Sequence, residues 1–293
     1  MIHPTSVAVS REHRRAKTDR LDTELLKRAF LGWLRGAPRH CSMARIPTLE
    51  EEDTKRPNRA RENLVSERTR IINRLQSALA RLGIRVLSQP RAGLPRRRPG
   101  APERLARLLT PEGARLPPNM LAELQRDMAR LQFIMEQIRE IEATRAARIA
   151  QHPERANHAM ILLLARVIGV GIETADMLVH EILSRPLRDR KAVARYAGLT
   201  GSPDESGARR REKGLAKAGN ARVRRGMIQL AWRFLMFQKQ SALVQWYQRQ
   251  TADARGGTRK TMIVALARKL LVALWRLVTT GEIPEGVVLR RAA

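Results

Sequence analysis

Residues 199–225 read LTGSPDESGARRREKGLAKAGNARVRR, a stretch in which glycine and proline interrupt two long reaches of helical periodicity. Gly201, Pro203 and Gly207 oppose helix and strand alike, which predicts that Ser206 sits on a loop. Loops carried on a rigid scaffold are where reactive side chains collect. Arg209, Arg210, Arg211 and Lys213 follow the serine at once, then Lys217, Asn220, Arg222, Arg224 and Arg225. A serine hydroxyl is a weak nucleophile until its proton is removed or its target is made more electrophilic, and closely placed guanidinium groups do the second for a phosphodiester. A serine before a glycine is also an ordinary turn residue. The spacing alone leaves both readings open.

Working outward, residues 220–237 place Val223, Met227, Leu230, Ala231 and Phe234 on one helical face, and residues 258–280 do the same with Ile263, Leu266, Leu270, Leu274 and Val278. Gly256-Gly257 and Gly281 mark the ends of the last two segments, and Trp232, Trp246, Tyr247 and Trp275 read as core fillers. Upstream, residues 190–196 suit a short helix. Residues 158–166 and 173–183 form two more, joined through Gly169-Val170-Gly171, a helix-hairpin-helix-like pattern. Glycines at Gly169 and Gly171 would let the backbone approach a phosphate. Plain helix packing explains the same pattern.

Two longer helices precede these. Leu64, Ile71, Leu75, Ala78 and Leu82 recur at coiled-coil spacing over 61–82 and stop at Gly83; Leu121, Leu124, Met128, Leu131, Met135 and Ile138 repeat it after Pro117-Pro118. They are expected to pair as an antiparallel hairpin or in a bundle with another protomer. Residues 88–102, with Arg96-Arg97-Arg98 among prolines, read as a basic loop, and 37–59 as a connector. At the start, Ser6-Val7-Ala8-Val9 alternates like the last strand of a sheet, and residues 19–35 have helical spacing. Asp19 and Asp22 fall on one face of that helix's first turn, roughly 5–6 Å apart at Cβ. Two carboxylates there either cap the helix end or serve magnesium.

Lys plus Arg number 57 against 28 Asp plus Glu, a net charge of +29, which attracts polyanions and makes nucleic acid the expected partner. The longest apolar run, residues 160–165, falls far short of the ~20 residues a membrane span needs, and the arginine-rich start lacks the apolar core of a signal peptide. A cytoplasmic protein is expected. One cysteine, Cys41, excludes an internal disulfide and a cysteine-cluster zinc site. Aromatic residues make up only 3% of the chain, too few for a base-stacking platform, so binding should rest on backbone phosphates.

YAGL at 196–199, Ser206-Gly207, GNARVRR at 219–225 and QLAW at 229–232 together resemble the C-terminal domain of transposases of the insertion sequence 110, 116 and 902 group. KTDRLD at 17–22 is similar to the end of that family's RuvC-like catalytic domain, and the two motifs stand in the family's order. The resemblance implies that Ser206 is a recombination nucleophile forming a covalent serine-DNA intermediate, and that Asp19 and Asp22 are the last two of four carboxylates binding Mg2+. It also implies oligomers in which the metal site meets the serine domain of a partner subunit, working with an element-encoded guide RNA. The sequence departs from the family upstream, where the sole earlier acid is Glu12, so an N-terminally truncated metal site is expected. The expected chain is therefore mostly α: a RuvC-like remnant over 1–36, linker and coiled-coil helices over 37–155, and a helical transposase domain over 156–293. The alternative function is a non-catalytic DNA- or RNA-binding remnant.

Overall fold

A computed structural model describes residues 19–37, 46–84, 105–206, 209–215, 218–253 and 256–291. They divide into two units, Met1–Asp53 and Thr54–Ala293, and are mostly helical. The Ser6–Val9 alternation, the Arg96–Arg98 run, Cys41, Gly207 and Lys217 lie outside the described residues.

The first unit contains α1 (Asp19–Leu34) and α2 (Leu49–Asp53). Asp19 and Asp22 occupy the first turn of α1, as the spacing predicts, and the Thr23 hydroxyl donates to the Asp19 carbonyl at 2.7 Å. Along the same helix Phe30 stacks on Trp33, ring centroids 6.3 Å apart. The acidic run 50–52 becomes the first turn of α2, where carboxylates meet the positive end of the helix dipole. Glu51 and Thr48 complete a reciprocal capping box there: the Thr48 hydroxyl accepts from the Glu51 N–H and the Glu51 carboxylate accepts from the Thr48 N–H, both at 3.1 Å.

In the second unit α3 (Arg56–Arg81) and α4 (Pro118–Gln151) pair with each other. Arg61 contacts Glu142 and Arg74 contacts Asp127; the partner numbers fall as the α3 numbers rise, so the helices run antiparallel. Of the residues on the sequence's apolar seam, Ile71, Leu75, Ala78, Leu124, Met128, Leu131 and Ile138 are buried between them, and Leu64, Leu82, Leu121 and Met135 are partly buried against the same cluster. Gly83 ends α3 at φ +73°. A polar pair crosses this apolar seam: Asp127 is buried and accepts two hydrogen bonds of 2.5 Å from Arg74, which hold the Arg74 guanidinium above its ordinary pKa.

Beyond α4 come α5 (Ala156–Arg166), α6 (Ile172–Leu178) continuing into a π-helical turn (Val179–Leu183), and α7 (Arg190–Tyr196). Then follow strands β1 (Gly201–Ser206) and β2 (Arg209–Leu215), α8 (Ala221–Phe237), α9 (Ala242–Thr251) and α10 (Gly256–Thr280). All five apolar positions read on α8 are buried, as are Ile263, Leu266, Leu270 and Leu274 of α10, and both faces belong to one core with Ile161, Leu164, Leu178 and Ile182. Each such side chain larger than alanine contributes roughly 1.5–3 kcal/mol by leaving water. Helix α9 has no counterpart in the sequence reading; Ser241 caps it by accepting from the Val244 N–H, and Val244 and Tyr247 bury its inner face. Trp246 and Trp275 pack against the core and Tyr247 lies in it, but Trp232 is 46% exposed on the outer face of α8. Its position, one residue past the buried pair Leu230 and Ala231, turns it away from the core.

The last described segment straps this domain. Buried Gln238, just past α8, donates to the carbonyls of Ile168 and Val288 at 2.8 and 2.9 Å and accepts from the Val288 N–H. Arg290 donates to the Ala165 carbonyl at 2.6 Å. The turn between α5 and α6 is thereby tied to the tail and to α8. Asp189 caps α7 by accepting from the Ala192 N–H at 2.7 Å, which holds its carboxyl below its ordinary pKa.

Candidate nucleic-acid site

Two of the sequence motifs meet at the root of the β1–β2 hairpin. YAGL leaves α7 through Gly198 at φ +65°, and GN enters α8 through Gly219 at φ +89°. A Cβ on Gly198 would collide with the Ala218 carbonyl and the Arg224 guanidinium; one on Gly219 would meet the carbonyls of Tyr196 and Arg195. The Asn220 N–H donates to the Tyr196 carbonyl at 2.6 Å across the same junction. Only glycine combines positive φ with so close a backbone approach.

Between these stems the chain forms an antiparallel hairpin, where the sequence predicts a loop. Ser206 is the last residue of β1 and stands opposite Arg209; Glu205 stands opposite Arg210 and Asp204 opposite Arg211. Three reasons account for the correction. The opposing residues are of opposite charge at two successive positions, a pairing that favours strands. Pro203 costs no ladder bond when it lies on an edge or beside an irregularity, and the register shifts between Gly201 and Pro203. In a two-stranded sheet every strand is an edge. Ser206 is thus carried at the far end of a β-ribbon, with Arg209, Arg210, Arg211 and Lys213 along the returning strand.

Beside the hairpin root the helices converge on a polar network. Asn220 is the N-cap of α8: its side-chain oxygen accepts from the N–H groups of Arg222 and Val223 at 3.0 and 3.3 Å, and its amide donates to Glu181 at 2.8 Å. Glu181, 3% exposed on the π-helical turn, also accepts from Arg59 at 3.3 Å. Asp176, 5% exposed, is held by Asn58 at 2.5 Å, Arg145 at 3.1 Å and His180 at 3.3 Å. Glu173 pairs with Arg145 and with Arg61. Buried carboxylates survive only when paired and hydrogen-bonded, and here the partners come from α3, α4 and α8 together.

Arg222 and Arg225 are brought to one acidic residue on α3: Glu62 accepts from Arg222 Nε at 2.9 Å through one oxygen and from Arg225 Nη2 at 2.5 Å through the other. They border a cavity of about 360 Å³ lined also by Arg61, Glu173, Glu181, Gly226 and Arg233. Arg224 points elsewhere, toward the Ala218 carbonyl at 3.5 Å. Gly169, at φ +97°, faces Phe237, and Gly171 faces Arg233. Asp19 and Asp22 belong to the other unit. Magnesium binds through hard oxygens and needs only one or two carboxylates when substrate phosphates complete its shell, so this pair suits the ion in type. Among the described residues no group of three or more His, Cys, Asp or Glu side chains is placed to hold a metal. The sequence reading missed Asn58, Glu62, Arg145, Glu181 and Arg233. Glu181 alone carried a clear signal, an acid inside the apolar stretch VHEIL, whereas Asn58 and Glu62 sit in the polar run that opens α3.

Residues 162–270, a span holding both motif glycines, the hairpin and α8, match the family described as transposase IS116/IS110/IS902. Over 300 aligned residues the chain is 40% identical to a protein of Sinorhizobium fredii strain NGR234 named "Putative transposase y4rJ", covering 99% of this chain and 73% of that one. The chain belongs to the IS116/IS110/IS902 transposase family. The family span begins inside α5 and ends inside α10, whereas the likeness to the rhizobial protein extends across the α3/α4 hairpin as well. Among the described residues of this transposase no helix is long and apolar enough to cross a membrane.

Proposed function

We propose that this transposase exchanges DNA strands through Ser206. The reading rests on one observation above the others: the two glycine-dependent stems hold a β-ribbon whose end carries Ser206 opposite Arg209. In the reaction the serine oxygen bonds to a phosphodiester phosphorus, the phosphorus–oxygen ester bond to one deoxyribose breaks, the serine proton is lost and the freed sugar hydroxyl gains one. Bond energy is conserved in the serine-DNA ester, so rejoining is the reverse attack by another sugar hydroxyl. Arg209, Arg210 and Arg211 would stabilise charge developing on the phosphate oxygens. Asp19 and Asp22 would hold Mg2+, whose chemistry is Lewis-acid polarisation of phosphate oxygens, as part of a site completed by further carboxylates. The excess of cations suits DNA together with a guide RNA, in a homo-oligomer in the cytoplasm.

A second reading, a DNA- or RNA-binding protein without catalysis, is favoured by the pair of carboxylates on α1 having no third beside it among the described residues. Both readings require phosphate-driven binding. Affinity for duplex DNA of arbitrary sequence should fall steeply with salt, and replacing Arg209, Arg210 and Arg211 with alanine should lower the log–log slope by about 3 while weakening all sequences alike. An affinity indifferent to salt would refute both.

A further inference from the structure

We infer that Glu62 occupies, in the free protein, the place of a nucleic-acid phosphate, and that the groove between α3 and α8 is a phosphodiester-binding site from which the backbone of the bound polynucleotide displaces it. The inference rests on the nucleic-acid-binding reading above and adds to it a site and an internal competitor. Glu62 differs from the other acids of this region, including part-exposed Glu173, which takes Arg61 and the almost fully buried Arg145 through a single oxygen. Asp176 and Glu181 are almost wholly buried and satisfied by amides and arginines that also hold the helices together. Glu62 is part-exposed, with its two oxygens taken separately by Arg222 and Arg225, whose own side chains are 39% and 62% exposed. A carboxylate clasped by two guanidinium groups has the charge and the oxygen geometry that a phosphate presents to the same fork.

The surroundings favour exchange. Arg222 and Arg225 leave the first turns of α8, the helix that follows the GN stem of the serine hairpin. Arg233 lines the same groove about two turns beyond Arg225 along α8, and among the described residues no carboxylate pairs with it. Arg61 lines the opposite wall on α3. An exposed ion pair contributes little to stability, so opening Glu62 from the arginines costs little. A polynucleotide phosphate that takes its place gains the same two donors, and a neighbouring phosphate of the same strand can meet Arg233, about 12 Å further along α8. The groove therefore lies ready for a polyanion, with a tethered carboxylate as a weak internal competitor.

The test compares the full chain with Glu62→Gln and Arg233→Ala, measuring affinity across a salt series for duplex DNA and, separately, for structured RNA of equal length. Glu62→Gln keeps the shape and removes the competing charge, so affinity should rise severalfold and the log–log salt slope should steepen by about 1. Arg233→Ala should weaken binding and flatten the slope by about 1. Gains confined to DNA assign the groove to DNA, gains confined to RNA assign it to RNA, and gains on both assign it to phosphodiester backbone as such. Wild-type binding with an unaltered affinity and slope in a folded Glu62→Gln overturns the inference and leaves the transposase reading standing. Should Glu62→Gln fail to fold, Arg233→Ala decides, and an affinity equal to wild type overturns it. Absence of any wild-type binding to either polymer overturns both.

Discussion

Gly198 and Gly219 carry the heaviest constraint of any residues near the site, since each adopts positive φ while its missing Cβ makes room for the other strand's backbone. Alanine at Gly198 should destabilise the protein by more than about 2 kcal/mol, because a left-handed alanine alone costs ~1–2 kcal/mol and the collision with the Ala218 carbonyl comes on top. Denaturant unfolding measures this, and an unchanged midpoint would show that the junction is not the constraint proposed. Alanine at Gly36, also at positive φ but in open space, should cost only the conformational part. Both motif glycines were visible in the sequence as parts of YAGL and GN, yet their purpose was not. A left-handed glycine and a flexible one are spelled alike, and the contact between residues 198 and 219 joins segments about twenty positions apart.

At the scale of elements, the helices were legible and the hairpin was not. Apolar periodicity identified the buried face of α8 position by position, and on α10 four of the five positions read, Val278 being only partly buried while Ala267, Leu271 and Leu277 went unread, because each helix packs on one core and the pattern records that packing. The β-ribbon gave no alternation to read, since its residues are almost all polar or charged and its two strands are set by backbone register between the glycine stems at its root. Helix α9 escaped for a different reason: ten residues leave too few apolar repeats, and the Ser241 cap was its main signal. The junction of α8 with the π-helical turn depends on Asn220, which caps one and satisfies buried Glu181 on the other. Asn220→Ala should therefore cost about 2–4 kcal/mol, from the lost cap and from the Glu181 oxygen left without its amide donor while Arg59 holds the other. Asn220→Ser should recover about 1 kcal/mol by restoring the cap alone. Equal stability of alanine and serine variants would show that the capping bond contributes nothing.

Across the whole molecule, the antiparallel α3/α4 hairpin and the serine domain share one unit, joined by Arg59, Arg61, Asn58 and Arg145 reaching acids of α6 and the π-helical turn. The sequence showed two heptad segments and a basic stretch but not this junction, because polar residues inside a helical stretch read as solvent-facing until their partners on other helices are known. The junction sets Arg222 and Arg225 of α8 against α3, and the serine ribbon leaves from its glycine root beside it. The central claim is that Ser206 at the end of that ribbon is the nucleophile. Its direct measurement is the detergent-resistant protein–DNA adduct, formed by the full-length protein with magnesium and guide RNA supplied, and mapped by mass spectrometry. The account predicts an adduct on the peptide containing Ser206 that disappears in Ser206→Ala, with DNA affinity within about twofold of wild type because one hydroxyl adds little to a surface of this charge. An adduct that persists in Ser206→Ala, or that never forms with wild-type protein bound to DNA, would contradict it.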